Sequence, residues 1–142
     1  MSALIQFFTE EVFYDLQNEQ AIREWIIRVI REEGFEPGFV NFILCNDAYL
    51  LELNQRFLER NTLTDVIAFD YSEEEGEVAG DVFISIERTG ENADIFGVTP
   101  VQELHRVIIH GTLHLCGHDD DTPEAKSLMT EREDKYLSLL PF

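Results

Sequence analysis

Lysine is nearly missing from these 142 residues: Lys126 and Lys135 are the only two, and ten basic side chains face twenty-nine acidic ones. The formal net charge of -19 excludes broad, sequence-independent attachment to nucleic acid, because phosphates would be repelled. A salty cytoplasm would accommodate such a chain, since the Debye length falls to about 3 Å at 1 M salt. Cysteine is scarce too. Cys45 and Cys116 lie far apart and form no C-x-x-C pair, which excludes a disulfide scaffold and points to small core residues in a reducing compartment. No apolar run approaches the ~18 residues of a membrane span. The start, MSALIQFFTEEVFYDL, has no basic stretch ahead of an apolar one, so no signal peptide is expected. The D-x-D-x-D-G spacing of a calcium loop is absent as well. These absences lead us to expect a soluble, cytoplasmic protein with no membrane partner.

What is present is a chain of single-domain size, residues 1–142, with 44% apolar residues and enough length to bury a core unaided. No repeat or linker interrupts it. A strand is expected near Ile5 to Phe8. NEQAIREWIIRVIREEG (18–34) follows as a helix, with Ala21, Trp25, Ile26, Val29 and Ile30 at helical spacing, Asn18 as N-cap and Gly34 as stop. FVNFILC (39–45) reads as a strand, and NDAYLLELNQRFL (46–58) as a helix capped by Asn46 or Asp47. TDVIAFDY (64–71) and AGDVFISI (79–86) read as two strands of a hairpin around the acidic turn SEEEGE. Pro100 opens a long helix that ends at Gly117, and Thr122 with Pro123 opens the last one. The fold class is α+β: a small mixed sheet of three to four strands packed with four to five helices.

Three of the four histidines fall in HGTLHLCGHDDD (110–121). His110 and His114, four apart on a helix, share one face a turn apart and can share one ion. Gly117 can take a left-handed conformation and turn the chain back, bringing Asp120, three residues on, toward the same point. H-x-x-x-H-x-x-G-x-x-D has the ligand spacing of a metzincin motif with aspartate in third place. Three ligands leave a position open, as a catalytic zinc requires. His118, Asp119 and Asp121 compete for the third place, and His118 is the better zinc ligand by atom type. It follows Gly117 immediately, however, with little chain to swing round, so Asp120 is expected. His105 lies about 140° round the helix from His110 and is expected to be an ordinary helix or supporting residue. Position 111 decides the chemistry. A zinc peptidase places its general-base glutamate there; here it is Gly111, which argues against peptidase activity and favours phosphodiester hydrolysis, where an ion offsets charge on phosphoryl oxygens.

The segment resembles the YbeY-type metal-dependent endoribonucleases of small-subunit ribosomal RNA maturation. Their signature H-G-x-L-H-L-x-G-x-D-H coincides at His110, Gly111, Leu113, His114, Leu115, Gly117 and Asp119. LNQRFLERNTLTDVIAF (53–69) and GDVFIS (80–85) match two further family segments in order and spacing. Two positions depart from the family: its third histidine is Asp120, and its arginine after the aromatic of L-N-x-x-F is Leu58.

The resemblance implies a metal-binding helix lining a cleft beside the sheet, zinc as the metal, and His110, His114 and Asp120 as ligands. It implies single-stranded ribosomal RNA as substrate and small-subunit ribosomal proteins as partners; a basic one among them would offer a second account of the acidity. Arg56, Arg60 or Arg106 would offset phosphate charge. Asp65 is expected to hold its loop through backbone amides, Thr64 to be structural, and GDVFIS to form a sheet edge along the cleft with Asp81 at its head. The rival reading is a ribosome-assembly factor whose metal is structural, prompted by Leu58 at the arginine position.

Overall fold

Short apolar runs, alternating in β4 and nearly continuous in β2, build four strands, and 3.6-residue spacing builds five helices, in a computed structural model that describes residues 4–58 and 64–142. In chain order they are β1 (Ile5–Thr9), α1 (Glu19–Glu32), β2 (Glu36–Cys45), α2 (Asp47–Leu58), β3 (Val66–Asp70), β4 (Glu77–Ser85), α3 (Ile86–Phe96), α4 (Pro100–Leu115) and α5 (Pro123–Leu137). The sheet order is β1-β2-β4-β3. β1 and β4 run parallel to β2, while β3 pairs antiparallel with β4 as the expected hairpin. The architecture is α+β with a mixed sheet.

The two sheet faces bury different partners. Ile5, Val40, Phe42, Leu44, Val82 and Ile84 face the main core with Ile22, Ile26 and Ile30 of α1 and Leu104 and Ile108 of α4. Cys45, Ile67, Phe69 and Phe83 lie instead with Leu50 and Leu53 of α2 in a smaller cluster. α4 is the central helix, packed against α1, α3, α5, β3 and β4. Two glycines permit its close approach to the sheet. A Cβ at Gly111 would sit 2.5 Å from Val82 Cγ1, and one at Gly80 would meet Phe69 O and Leu115 Cδ2.

The ends of α4 follow from its sequence. The Thr99 hydroxyl accepts from Gln102 N, the Gln102 side chain accepts from Thr99 N, and Pro100 occupies the first turn; such a box contributes about 1 kcal/mol. At the other end, His118 N donates to Leu113 O and Gly117 N to His114 O, both at 3.0 Å, with Gly117 at φ 97°. This is a Schellman turn, which only a glycine makes without strain.

One expectation needs correction, one choice between two caps is decided, and one helix is new. Asn18 precedes α1 but is left-handed (φ 60°) and makes no side-chain cap. The α2 cap is Asn46, whose Oδ1 accepts from Tyr49 N at 2.8 Å; Asp47 lies inside the helix and binds Ser85 and Arg88. Helix α3 was not located from the sequence, because Ile86 extends the strand alternation and Gly90 weakens the helical pattern; its marks are Ser85, which caps Arg88 N, and Gly97 in the left-handed region.

Both cysteines are buried and free, as expected. Burial pushes each thiol up to about 12. Alkylation of native protein at pH 8 should therefore run about a thousandfold slower than for an ordinary cysteine. Rapid labelling of either thiol without unfolding would contradict this packing.

Candidate metal centre

His110 and His114 leave the last two turns of α4 on one side, and the Schellman turn returns the chain so that Asp120 faces them. His110 Nε2 lies 3.0 Å from His114 Nε2 and 3.4 Å from Asp120 Oδ2; His114 Nε2 lies 3.7 Å from Asp120 Oδ1. Three ligands of a tetrahedral ion at 2.0–2.1 Å stand roughly 3.3 Å apart. The observed spacings bracket that value, so the donor set fits one metal ion. The three side chains are only partly buried, and two of them, His110 and Asp120, line a cleft bounded by α4, α5, Asp65 and the end of α3.

Glu133 of α5 supports this triad, and the sequence reading missed it. Its Oε2 lies 2.6 Å from His110 Nδ1. A proton at Nδ1 donated to this carboxylate leaves the Nε2 lone pair directed at the cleft. Burial alone would lower the His110 pKa, but the Glu133 hydrogen bond and charge, with Asp120 and Asp65, raise it. His114 is pulled down, first by burial and then by His110. Glu133 Oε1 also accepts from Arg106 at 2.8 Å, and Arg106 reaches Asp134 at 2.6 Å. Glu133→Gln keeps an acceptor but loses the charge that both partners share. We expect it to bind metal about 10–100-fold more weakly while remaining folded, as chelator competition would measure. Unchanged affinity would remove Glu133 from the centre.

His118 is occupied elsewhere. Its Nε2 lies 2.5 Å from Oε1 of Glu33, at the C-terminal end of α1. Glu33 also accepts from Tyr136 and from Arg132. Burial pushes the Glu33 carboxyl upward, but these hydrogen bonds and the nearby charges hold it below the usual range. This cluster ties the loop that carries Asp120 to α1 and α5.

The other expected residues divide. Arg106 lines the cleft, but its guanidinium is engaged by Glu133 and Asp134. Arg56 is an exposed side chain of α2 that pairs with Glu52 at 3.6 Å. Arg60 lies outside the described residues. Leu58 is exposed on α2. Asp119 and Asp121 do not join the triad. His105 is buried against Trp25, with ring centroids 6.4 Å apart, as an ordinary helix residue. Thr64 Oγ1 donates to Val66 O, the structural role expected of it.

Asp65 meets its expectation only in part: its carboxylate takes a backbone hydrogen bond from its own amide. Its backbone carbonyl takes Ser85 N, while its carboxylate accepts from the Asn92 side chain at 3.4 Å and lines the cleft. Burial raises its pKa, partly offset by His110. The GDVFIS strand also corrects the sequence reading. β4 is an interior strand, and Asp81 accepts from Asn41 at 3.0 Å in a separate groove with Phe8, Tyr49 and Phe83. Alternation along β4 turns Asp81 away from Gly80 and Val82, which face α4.

Comparison with known proteins shows the family. The chain is 46% identical over 132 residues to an endoribonuclease YbeY of Flavobacterium psychrophilum, covering 93% of this chain and 94% of that one. It is 43% identical over 138 residues to that of Cytophaga hutchinsonii, covering 97% and 96%. The solution structure of TM1509 from Thermotoga maritima superposes with a TM-score of 0.64 at 30% identity, over 94% of this chain and 87% of that one. Residues 5–141 match the family model described as Endoribonuclease YbeY. A central helix that presents two histidines and turns back an aspartate is thus set in a chain that belongs, over nearly its whole length, to the YbeY family.

Proposed function

We propose that this chain is a zinc-dependent, single-strand endoribonuclease that matures small-subunit ribosomal RNA in the cytoplasm, working with ribosomal proteins of that subunit. The observation that carries the reading is the ligand triangle, which fits one tetrahedral ion and opens onto a cleft. Membership of a family described as endoribonucleases supports it. When bound, the ion supplies Lewis acidity at a phosphoryl oxygen.

The chain's own groups do the rest. Glu133 holds the proton at His110 Nδ1, and Arg106 keeps Glu133 in place. Asp65 presents a carboxyl in the cleft to which no lysine or arginine pairs among the described residues; it can take a proton that Gly111 offers no carboxylate to accept. Position 111 itself faces Val82 in the sheet, so no side chain there could reach the cleft without moving α4.

The assembly-factor reading has one observation in its favour. Arg106 is engaged in ion pairs, and Lys126 is the other basic lining residue of the cleft among the described ones. An end-labelled single-stranded RNA carrying a small-subunit ribosomal RNA end separates the two. Internal cleavage that a chelator abolishes and added zinc restores supports the enzyme. Binding to small subunits without any cleavage supports the assembly factor.

A further inference from the structure

The metal centre occupies one part of a larger cleft of about 940 Å³. Phe96, Val98, Leu140 and Phe142 line the same cavity as His110 and Asp120. Phe96 and Phe142 are more than half exposed, at 65% and 52%. The Phe142 ring stands 5.5 Å from that of His105, which is buried on Trp25. The Phe142 ring thus rests at a tilt of 58° against a buried neighbour while about half of its surface stays open.

Charge indicates what this surface takes. A net charge of -19 repels a phosphate backbone, and Arg106, one of two basic lining residues, is spent on Glu133 and Asp134. Beyond the ion and Lys126, a strand that reaches this centre must draw most of its affinity from uncharged contacts. Stacking of bases on aromatic rings is such a contact, and it tolerates any sequence. We propose that the apolar arm of the cleft, around Phe96 and Phe142, is a nucleobase subsite for a single strand whose phosphodiester lies at the His/His/Asp centre. The inference rests on the endoribonuclease reading and adds the means by which an acidic protein holds RNA.

The test is fluorescence anisotropy of a labelled 2′-O-methyl RNA single strand with the purified protein, at 50 and 500 mM salt. Wild type should bind with affinity that holds or rises at high salt. Phe96→Ala and Phe142→Ala should each weaken it about tenfold, and Phe142→Trp should restore it. Circular dichroism and metal content of the variants should stay unchanged. Affinity that falls steeply with salt and ignores both phenylalanines would overturn the subsite, while cleavage of ordinary RNA would leave the enzyme reading standing. Neither binding nor cleavage by metal-loaded wild type would overturn both.

Discussion

His114→Ala is expected to lose its metal and all RNA cleavage, while Cys116→Ala, two residues on, loses neither. The loss follows from ligand count. A structural zinc site gains about 10–16 kcal/mol from four ligands, so each accounts for roughly 2.5–4 kcal/mol, or about a hundredfold to a thousandfold in affinity. Removing one of three leaves His110 Nε2 and Asp120 without the second imidazole that closes the triangle. Cys116, by contrast, packs into the main core, and its truncation costs about 1 kcal/mol of packing. Metal analysis and cleavage of labelled RNA on the two variants check this together. Full cleavage by metal-free His114→Ala would show that the ion takes no part in the reaction.

Gly111→Glu, which would complete the H-E-x-x-H of a zinc peptidase, should unfold the protein instead of converting it. The new Cβ would stand 2.5 Å from Val82 Cγ1, on the buried side of α4. Overpacking of this kind costs about 1–3 kcal/mol, against a helix-propensity gain of about 1 kcal/mol. The buried carboxylate adds several kcal/mol more, a large part of the ~5–15 kcal/mol that holds a domain together. Gly111→Ala tests the steric part alone, and Val82→Ala in the same chain should relieve some of its cost. Thermal unfolding reads all three. A Gly111→Glu protein that melts like wild type and digests casein would mean that position 111 faces the metal.

Much of this was legible in the sequence because it is local. Pro100, the i,i+4 histidines and Gly117 set the start, the face and the end of α4 within eighteen residues, and Asp120 follows from the turn that Gly117 makes. The fold class follows likewise from runs whose period is 2 or 3.6. What stayed hidden comes from distant parts of the chain. Glu133 reaches His110 from another helix, and Glu33 reaches His118 from 85 residues away; neither position carries a signal of its own. Arg106 reads as a free cation until α5 places Glu133 and Asp134 against it. The interior position of β4 depends on pairing order, which hydrophobic alternation does not encode, so Asp81 was assigned to the wrong groove. Asp65 reads as a loop fastener because its aspartate chemistry suits backbone amides, and it does take its own; packing against α3 and α4 also turns its carboxylate into the cleft.

The third ligand is the point on which the account is most exposed. Metal content per chain, measured on wild type, Asp120→Ala and His118→Ala purified identically, tests it directly. The geometry predicts about one transition-metal ion per wild-type chain, most of it lost from Asp120→Ala and retained in His118→Ala. Metal retained in Asp120→Ala and lost from His118→Ala would contradict it, and would mean that His118 leaves Glu33 to complete the site.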